Sequence, residues 1–255
     1  PLLTGLNTAK ALSLTYKIPL LGVNHLFAHI EAIHYDQNIT YPYIGCVISG
    51  GHTFFALVQS SNDWIFLGST VDDALGEALD KGGKLLGQPY PAGKYLDQLS
   101  QWGDPQKFSF SKGMSFDKKS CKVSYSGIKN ALRMIIEKQP EILEMKPTST
   151  EIFQASSQLY YDLISSYMNA CFDTLIQKIP IAFEIAQNIN PKITLKSPLV
   201  FGGGVAMSKL LKNKMQKAKF DSYFVHPSLC TDNALMIATL AWKNSQAKID
   251  YPSSL

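Results

Sequence analysis

Arginine is almost absent. Arg133 is the only arginine among 24 basic residues, so the net charge of +4 rests on lysine. This removes the planar forks that grip phosphate bidentately, and with them any arginine-rich RNA-binding motif. A lysine excess this small permits an acidic partner without requiring one, and solubility accounts for it equally well. Cysteine is scarce: Cys46, Cys121, Cys171 and Cys230 are the only 4, and no two are spaced CxxC. That argues against a zinc knuckle or a redox dithiol and favours a reducing compartment. No apolar run reaches the roughly 18 residues of a membrane span, and the charged and apolar regions of a signal peptide are missing. Neither GxxxxGK[ST] nor HExxH occurs; the residue after His25 is Leu26, so the glutamate base of that protease motif is missing. There is no repeat and no low-complexity tract. The chain opens on Pro1-Leu2-Leu3-Thr4-Gly5 without an initiator methionine, and we expect a segment upstream of it.

What is present is an ordinary globular composition, 45% hydrophobic and 17% charged over 255 residues, enough for one large domain or two lobes. The periodicity predicts a helix over 4–16 closed by Pro19, a short buried strand over 20–23, and a second helix reaching about Tyr35. Apolar runs at 43–49 and 53–59 flank Gly50-Gly51 as a hairpin, and 64–70 reads as a third strand. Helices are expected over 71–86, with Asp72 as N-cap and Gly87 as stop, then over 94–101 and 125–138. Residues 103–122 show no clean period. A long apolar-periodic helical stretch covers 150–189 and is interrupted at Pro180. A strand at 199–201 runs into Gly202-Gly203-Gly204, a helix follows over 205–217, and 220–225 is a strand. Asp232 opens a last helix to about Asn244, and the tail from Ala247 looks loose. Alternation of helix and buried strand is an α/β pattern.

Three constellations carry chemistry. His25 and His29 stand four apart on a helix, so both imidazoles share one face and can hold one divalent metal ion. The plain alternative is one packed and one exposed histidine. Ser49-Gly50-Gly51-His52-Thr53 and Phe201-Gly202-Gly203-Gly204-Val205 lie at strand ends, where bare backbone N–H groups suit an anion such as a phosphate. A glycine hairpin and close helix–strand packing are their respective alternatives. Asp72, Asp73, Glu77 and Asp80 fall on one predicted helix with Lys81 and Lys84. A solvated face explains such a run, unless Asp80 accepts sugar hydroxyls; Asp97 could act similarly. Asp232 reads either as an N-cap or as the carboxylate completing a His-His-Asp metal site.

These residues together resemble the TsaD family of tRNA N6-adenosine threonylcarbamoyltransferases. The matching pieces are residues 23–29, 49–53, 72–81, 84–87, 90–93, 124–129, 203–205 and 230–238, in the family's order. The resemblance implies an actin-like, sugar-kinase-like two-lobed α/β fold with an incomplete first lobe. Residues 1–42 and the C-terminal helix 232–255 would belong to that lobe, and 43–231 would form the nucleotide-binding lobe. It implies transfer of a threonylcarbamoyl group from threonylcarbamoyl-AMP to N6 of the adenosine beside the anticodon, in tRNAs reading codons that begin with A. It implies a metal ion, iron or zinc, on His25, His29 and Asp232. Val47, Ile48, Ser49, Gly50, Gly51, Asp80, Gly93 and Asp97 would bind the adenylate. TsaB-type and TsaE-type partner proteins and a cytoplasmic setting are further implications.

The chain departs from the family pattern in places. Ser208 stands where an asparagine normally faces the adenine nucleotide, and serine offers one donor where the amide offers two. Ala92 replaces one glycine of the usual Pro-Gly-Gly, and Gly82-Gly83 is expected to weaken its helix. The family's opening strand hairpin, with its Glu-Thr/Ser-Cys-Asp loop, would precede residue 1, leaving the sheet around 20–23 with an unpaired edge and the fragment with impaired activity. A non-catalytic nucleotide-binding relic and a metalloprotease are the competing functional classes.

Overall fold

The computed structural model describes residues 2–111, 119–149 and 151–244. The expected loose tail lies outside the described residues, as does part of the aperiodic stretch. The elements in order are α1 (Leu2–Tyr16), α2 (His25–Glu31), β1 (Tyr43–Ile48), β2 (Thr53–Ser60), β3 (Asp63–Ser69), α3 (Leu75–Leu85), α4 (Gly93–Ser100), α5 (Ser126–Lys138), α6 (Glu141–Glu144), α7 (Gln158–Ile176), α8 (Ile179–Ile189), β4 (Leu199–Gly202), α9 (Lys209–Ala218), β5 (Ser222–Phe224) and α10 (Ala234–Lys243). This is the α/β class that the alternation of patterns predicts.

One mixed sheet organises the chain, in the order β3-β2-β1-β4-β5. The hairpin at Gly50-Gly51 joins antiparallel β1 and β2, with Ile48 opposite Thr53. β4 lies parallel to β1 and β5 parallel to β4, so the C-terminal ends of β1 and β4 point the same way. Every residue of β1 and β4 is buried, as expected of strands covered on both faces. α2 packs on β1 and β4, while α8 packs on β1, β2 and β3. The central helix α7 is buried along most of its length and meets α4 and α5. The two glycine loops thus arrive side by side at one end of the sheet, where ligands of open α/β sheets collect.

Several local expectations are corrected. The strand expected over 20–23 is reduced to a single bridge residue, Leu20; residues 21–24 form no strand, and Leu20, Leu21 and Val23 are half-buried. α1 does form, but Ser13 is its one buried residue; Leu2, Leu3, Leu6, Leu12 and Leu14 are exposed. α3 begins at Leu75, not 71, and Asp72 does not cap it. The Asp72 carboxylate instead accepts from the backbone N–H of Tyr125 (2.9 Å) and Ser126 and from both neighbouring serine hydroxyls, closing the start of α5. Those donors hold its carboxyl below the usual range even though burial pushes it up. The long helical stretch breaks at Gln177-Lys178, with Pro180 inside the first turn of α8, where its missing N–H costs nothing. Leu86 ends α3, and Gly87 follows at φ +68°, the expected stop.

Candidate metal centre and nucleotide cradle

Asn24 starts the short helix α2, its side-chain oxygen accepting from Leu26 N (3.0 Å) and Phe27 N (3.3 Å). With the helix fixed there, His25 and His29 lie one turn apart, their ring centroids 4.9 Å from each other. The third group comes from the far end of the chain. Two neighbours compete to cap α10, and Asn233 takes the position, its side chain accepting from Met236 N (2.8 Å). Asp232 is thereby released from capping. Its Oδ1 lies 3.4 Å from His25 Nε2 and 3.1 Å from His29 Nε2. The three ligand atoms lie within 4.8 Å of one another.

This donor set fits a metal ion. Ligands held about 2.0–2.1 Å from a tetrahedral zinc sit about 3.3 Å apart, and the two measured edges bracket that value. Three protein ligands leave a coordination position open, the pattern of a catalytic rather than a structural site. The Asp232 carboxylate is 79% exposed and the His29 ring 3%, so the site is anchored in the core and opens to solvent. Burial, then the neighbouring His25, hold the His29 imidazole below its ordinary pKa, although Asp232 pulls it up. A neutral ring is the ligating form. His29 Nδ1 is buried and meets no partner among the described residues, so no second hydrogen bond aims this ring.

The glycine loops hold the metal helix and the cradle together. A Cβ on Gly202 would lie 2.2 Å from the His29 carbonyl oxygen, so α2 approaches β4 as closely as it does only because that residue is glycine. Gly203, at φ +91°, passes so close to Ile48 that a Cβ would meet its oxygen at 2.5 Å. Val47 and Ile48 are buried at the end of β1. Ser49 turns the chain: its N–H donates to His52 O (2.8 Å), and its carbonyl accepts from Gly76 N (3.1 Å) at the start of α3. Gly50, Gly51 and Gly93 face open space.

Asp80 accepts from Ala92 N at 2.7 Å, fixing the turn that delivers Gly93 to the head of α4. Asp97, farther along α4, accepts from Lys209 N (2.9 Å) and Leu210 N (3.2 Å) at the start of α9. The Ser208 hydroxyl also donates to Asp97 while it accepts from Leu211 N (3.2 Å). Asp97 and Ser208 are therefore in direct contact, and Ser208 is the cap of α9. The helix expected to follow the three glycines directly is displaced by a 3-10 turn, Gly204–Met207. No long dipole begins at Gly204.

The sequence model of one family, described as TsaD, tRNA N6-adenosine threonylcarbamoyltransferase, matches residues 1–239. The chain belongs to the TsaD family. A tRNA N6-adenosine threonylcarbamoyltransferase of Thermotoga neapolitana is 34% identical over 256 residues, taking in 98% of this chain and 71% of that protein. The enzyme of the same name from Brucella anthropi is 35% identical over 259 residues, covering 100% of this chain and 67% of its own. That from Geotalea uraniireducens is 36% identical over 241 residues, 93% of this chain and 64% of its own. The chain thus spans about two thirds of the length of these TsaD relatives.

Glu31, the last residue of α2, and Lys243, the last of α10, carry no sequence motif that marks them as belonging near the site. A glutamate inside the apolar run Phe27 to Ile33, with tyrosines at 41 and 43, was the available signal. Among the described residues no helix is long and apolar enough to cross a membrane.

Proposed function

We propose that this TsaD-family chain moves a threonylcarbamoyl group from threonylcarbamoyl-AMP to N6 of the adenosine beside the anticodon, in tRNAs reading codons that begin with A. The observation that carries the reading is the convergence of His25, His29 and Asp232 next to two glycine-lined strand ends. Those three residues would hold iron or zinc, which when bound supplies positive charge to stabilise the departing AMP. The chain's own groups do the rest. Backbone N–H groups of Gly50-Gly51 and Gly203-Gly204 receive the phosphate. Val47, Ile48 and Gly93 shape the walls. Asp80 and Asp97 would accept ribose hydroxyls through the lone pairs their caps leave free, and Ser208 would take the place of an amide toward the adenine. An actin-like two-lobed frame, TsaB-type and TsaE-type partners and a cytoplasmic location complete the reading.

The test is direct. The protein is incubated with its partners, threonylcarbamoyl-AMP and unmodified tRNA, and the digested nucleosides are weighed by mass spectrometry. Threonylcarbamoyladenosine is the expected product, reduced at least a hundredfold by His29→Ala. Absence of product with the unaltered protein rejects the reading. A protease role has no support at this site, since Leu26 occupies the position of the general base.

A further inference from the structure

Behind the metal ligands, α2 ends in a buried charge. Glu31 is 1% exposed, on the same helix as His25 and His29. Tyr43 donates to its Oε1 at 2.7 Å and Tyr41 to its Oε2 at 2.7 Å. The Lys243 ammonium, on the last residue of α10, lies 3.5 Å from Oε2 and 3.2 Å from the Tyr41 hydroxyl. The His34 ring stands 3.8 Å away. Burying a carboxylate is costly, and an apolar pair of the same size fills such a space more cheaply. A buried network of this kind does best at setting how elements register.

The elements it ties together are the two that carry the metal ligands. α2 and α10 pack against each other. His25 and His29 meet Asp232 at the beginning of α10, while Glu31 meets Lys243 at its end. One contact allows two helices to pivot; two contacts at separate points prevent it. The need is plain at His29, whose Nδ1 has no acceptor to aim the ring, so the placement of α2 must aim it instead. We infer that Glu31, clamped by Lys243, Tyr41 and Tyr43, is a positioning residue that sets the separation of His25 and His29 from Asp232 and thereby the affinity for the metal. The inference rests on the metal reading above.

Zinc alone is the probe, added to metal-free protein with a competing chelator. Lys243→Met removes the ammonium but keeps most of the stem, and Lys243→Arg restores a cation. Glu31→Gln, a second route, keeps the shape and removes the charge. Folding of each variant is followed by circular dichroism. Lys243→Met and Glu31→Gln, still folded, should bind zinc at least tenfold more weakly than the unaltered protein, with Lys243→Arg recovering to within a few-fold. If the melting temperature falls while zinc affinity stays unchanged, the network only supports the fold and the inference is wrong. If the unaltered protein binds no zinc or ferrous ion, the metal reading fails and takes this inference with it.

Discussion

At the scale of single residues, adjacent positions have been given opposite tasks. Asp232 and Asn233 are both good helix caps, and the backbone decides between them: Asn233 is extended, with φ −154° and ψ 158°, and its side chain turns back to Met236 N. Asp232 is left pointing at two imidazoles. Asp232→Asn should therefore abolish metal retention while changing stability by less than about 0.5 kcal/mol, because its carboxylate is largely exposed. Asn233→Ala should cost about 1 kcal/mol, the usual worth of a cap. Metal analysis and urea unfolding of the two variants test the contrast. A large stability loss in Asp232→Asn with metal retained would reverse the assignment. The spacing of His25 and His29 could be read from the chain because helical geometry puts residues four apart on one face. Which of two neighbouring polar residues caps and which ligates could not, since that choice rests on two backbone angles. Glu31 was hidden for a similar reason: a lone glutamate in an apolar run gains meaning only when Tyr41, Tyr43 and Lys243 arrive from elsewhere.

Among elements, the boundaries that differ from expectation do so through contacts made across the fold. Asp72 closes α5 rather than α3, a pairing between residues more than 50 positions apart that no local pattern encodes. The same holds for the glycines of α3. By propensity Gly82 and Gly83 weaken a helix, and that is how they read in isolation. In the structure a Cβ on Gly83 would lie 2.1 Å from the Cβ of Ala92, and one on Gly82 2.5 Å from the Tyr167 ring. Glycine at 83 and alanine at 92 thus share one space: the α3–α4 contact has room for a single methyl group between them. Gly83→Ala alone should destabilise by about 1–3 kcal/mol, the cost of overpacking. In an Ala92→Gly background the same change should stabilise by up to about 1 kcal/mol, through helix propensity alone. Urea unfolding of the four proteins measures the cycle, and additive effects would show that the two positions do not share the space.

Over the whole molecule, the α/β class and the hairpin were legible because strands buried on both faces and a glycine pair leave clear marks in a sequence. The mixed order of the sheet was not, because the placing of β4 beside β1 depends on α2 lying across Gly202. Nor was the exposure of the α1 leucines, which in the sequence read only as a rough apolar face. The molecule's stability carries the imprint of the buried network as well. Burial is the main reason that His34 is held below its ordinary pKa of 6.5; Lys243 adds to the effect and Glu31 opposes it. Its neighbours are Glu31, Lys243 and the rings of Tyr41 and Tyr43, whose own hydroxyls are pushed well up and stay protonated. A group with a depressed folded-state pKa takes up its proton first in the unfolded chain. Its contribution is therefore complete above 6.5, shrinks as the pH falls below that value, and stops shrinking once the folded ring also protonates. The carboxyls of Asp72 and Asp73, also held low, lose their contributions only at more acid pH, below their ordinary 3.8. Between about pH 7 and 5 the loss of stability in metal-free protein should accordingly come from His29 and His34, both held low, and His34→Gln should remove the His34 share and make the slope shallower. Urea midpoints measured at half-unit intervals decide the point. A slope in the variant equal to that of the unaltered protein would mean that the His34 ring titrates alike in both states, and that its burial beside Glu31 leaves no mark on folding.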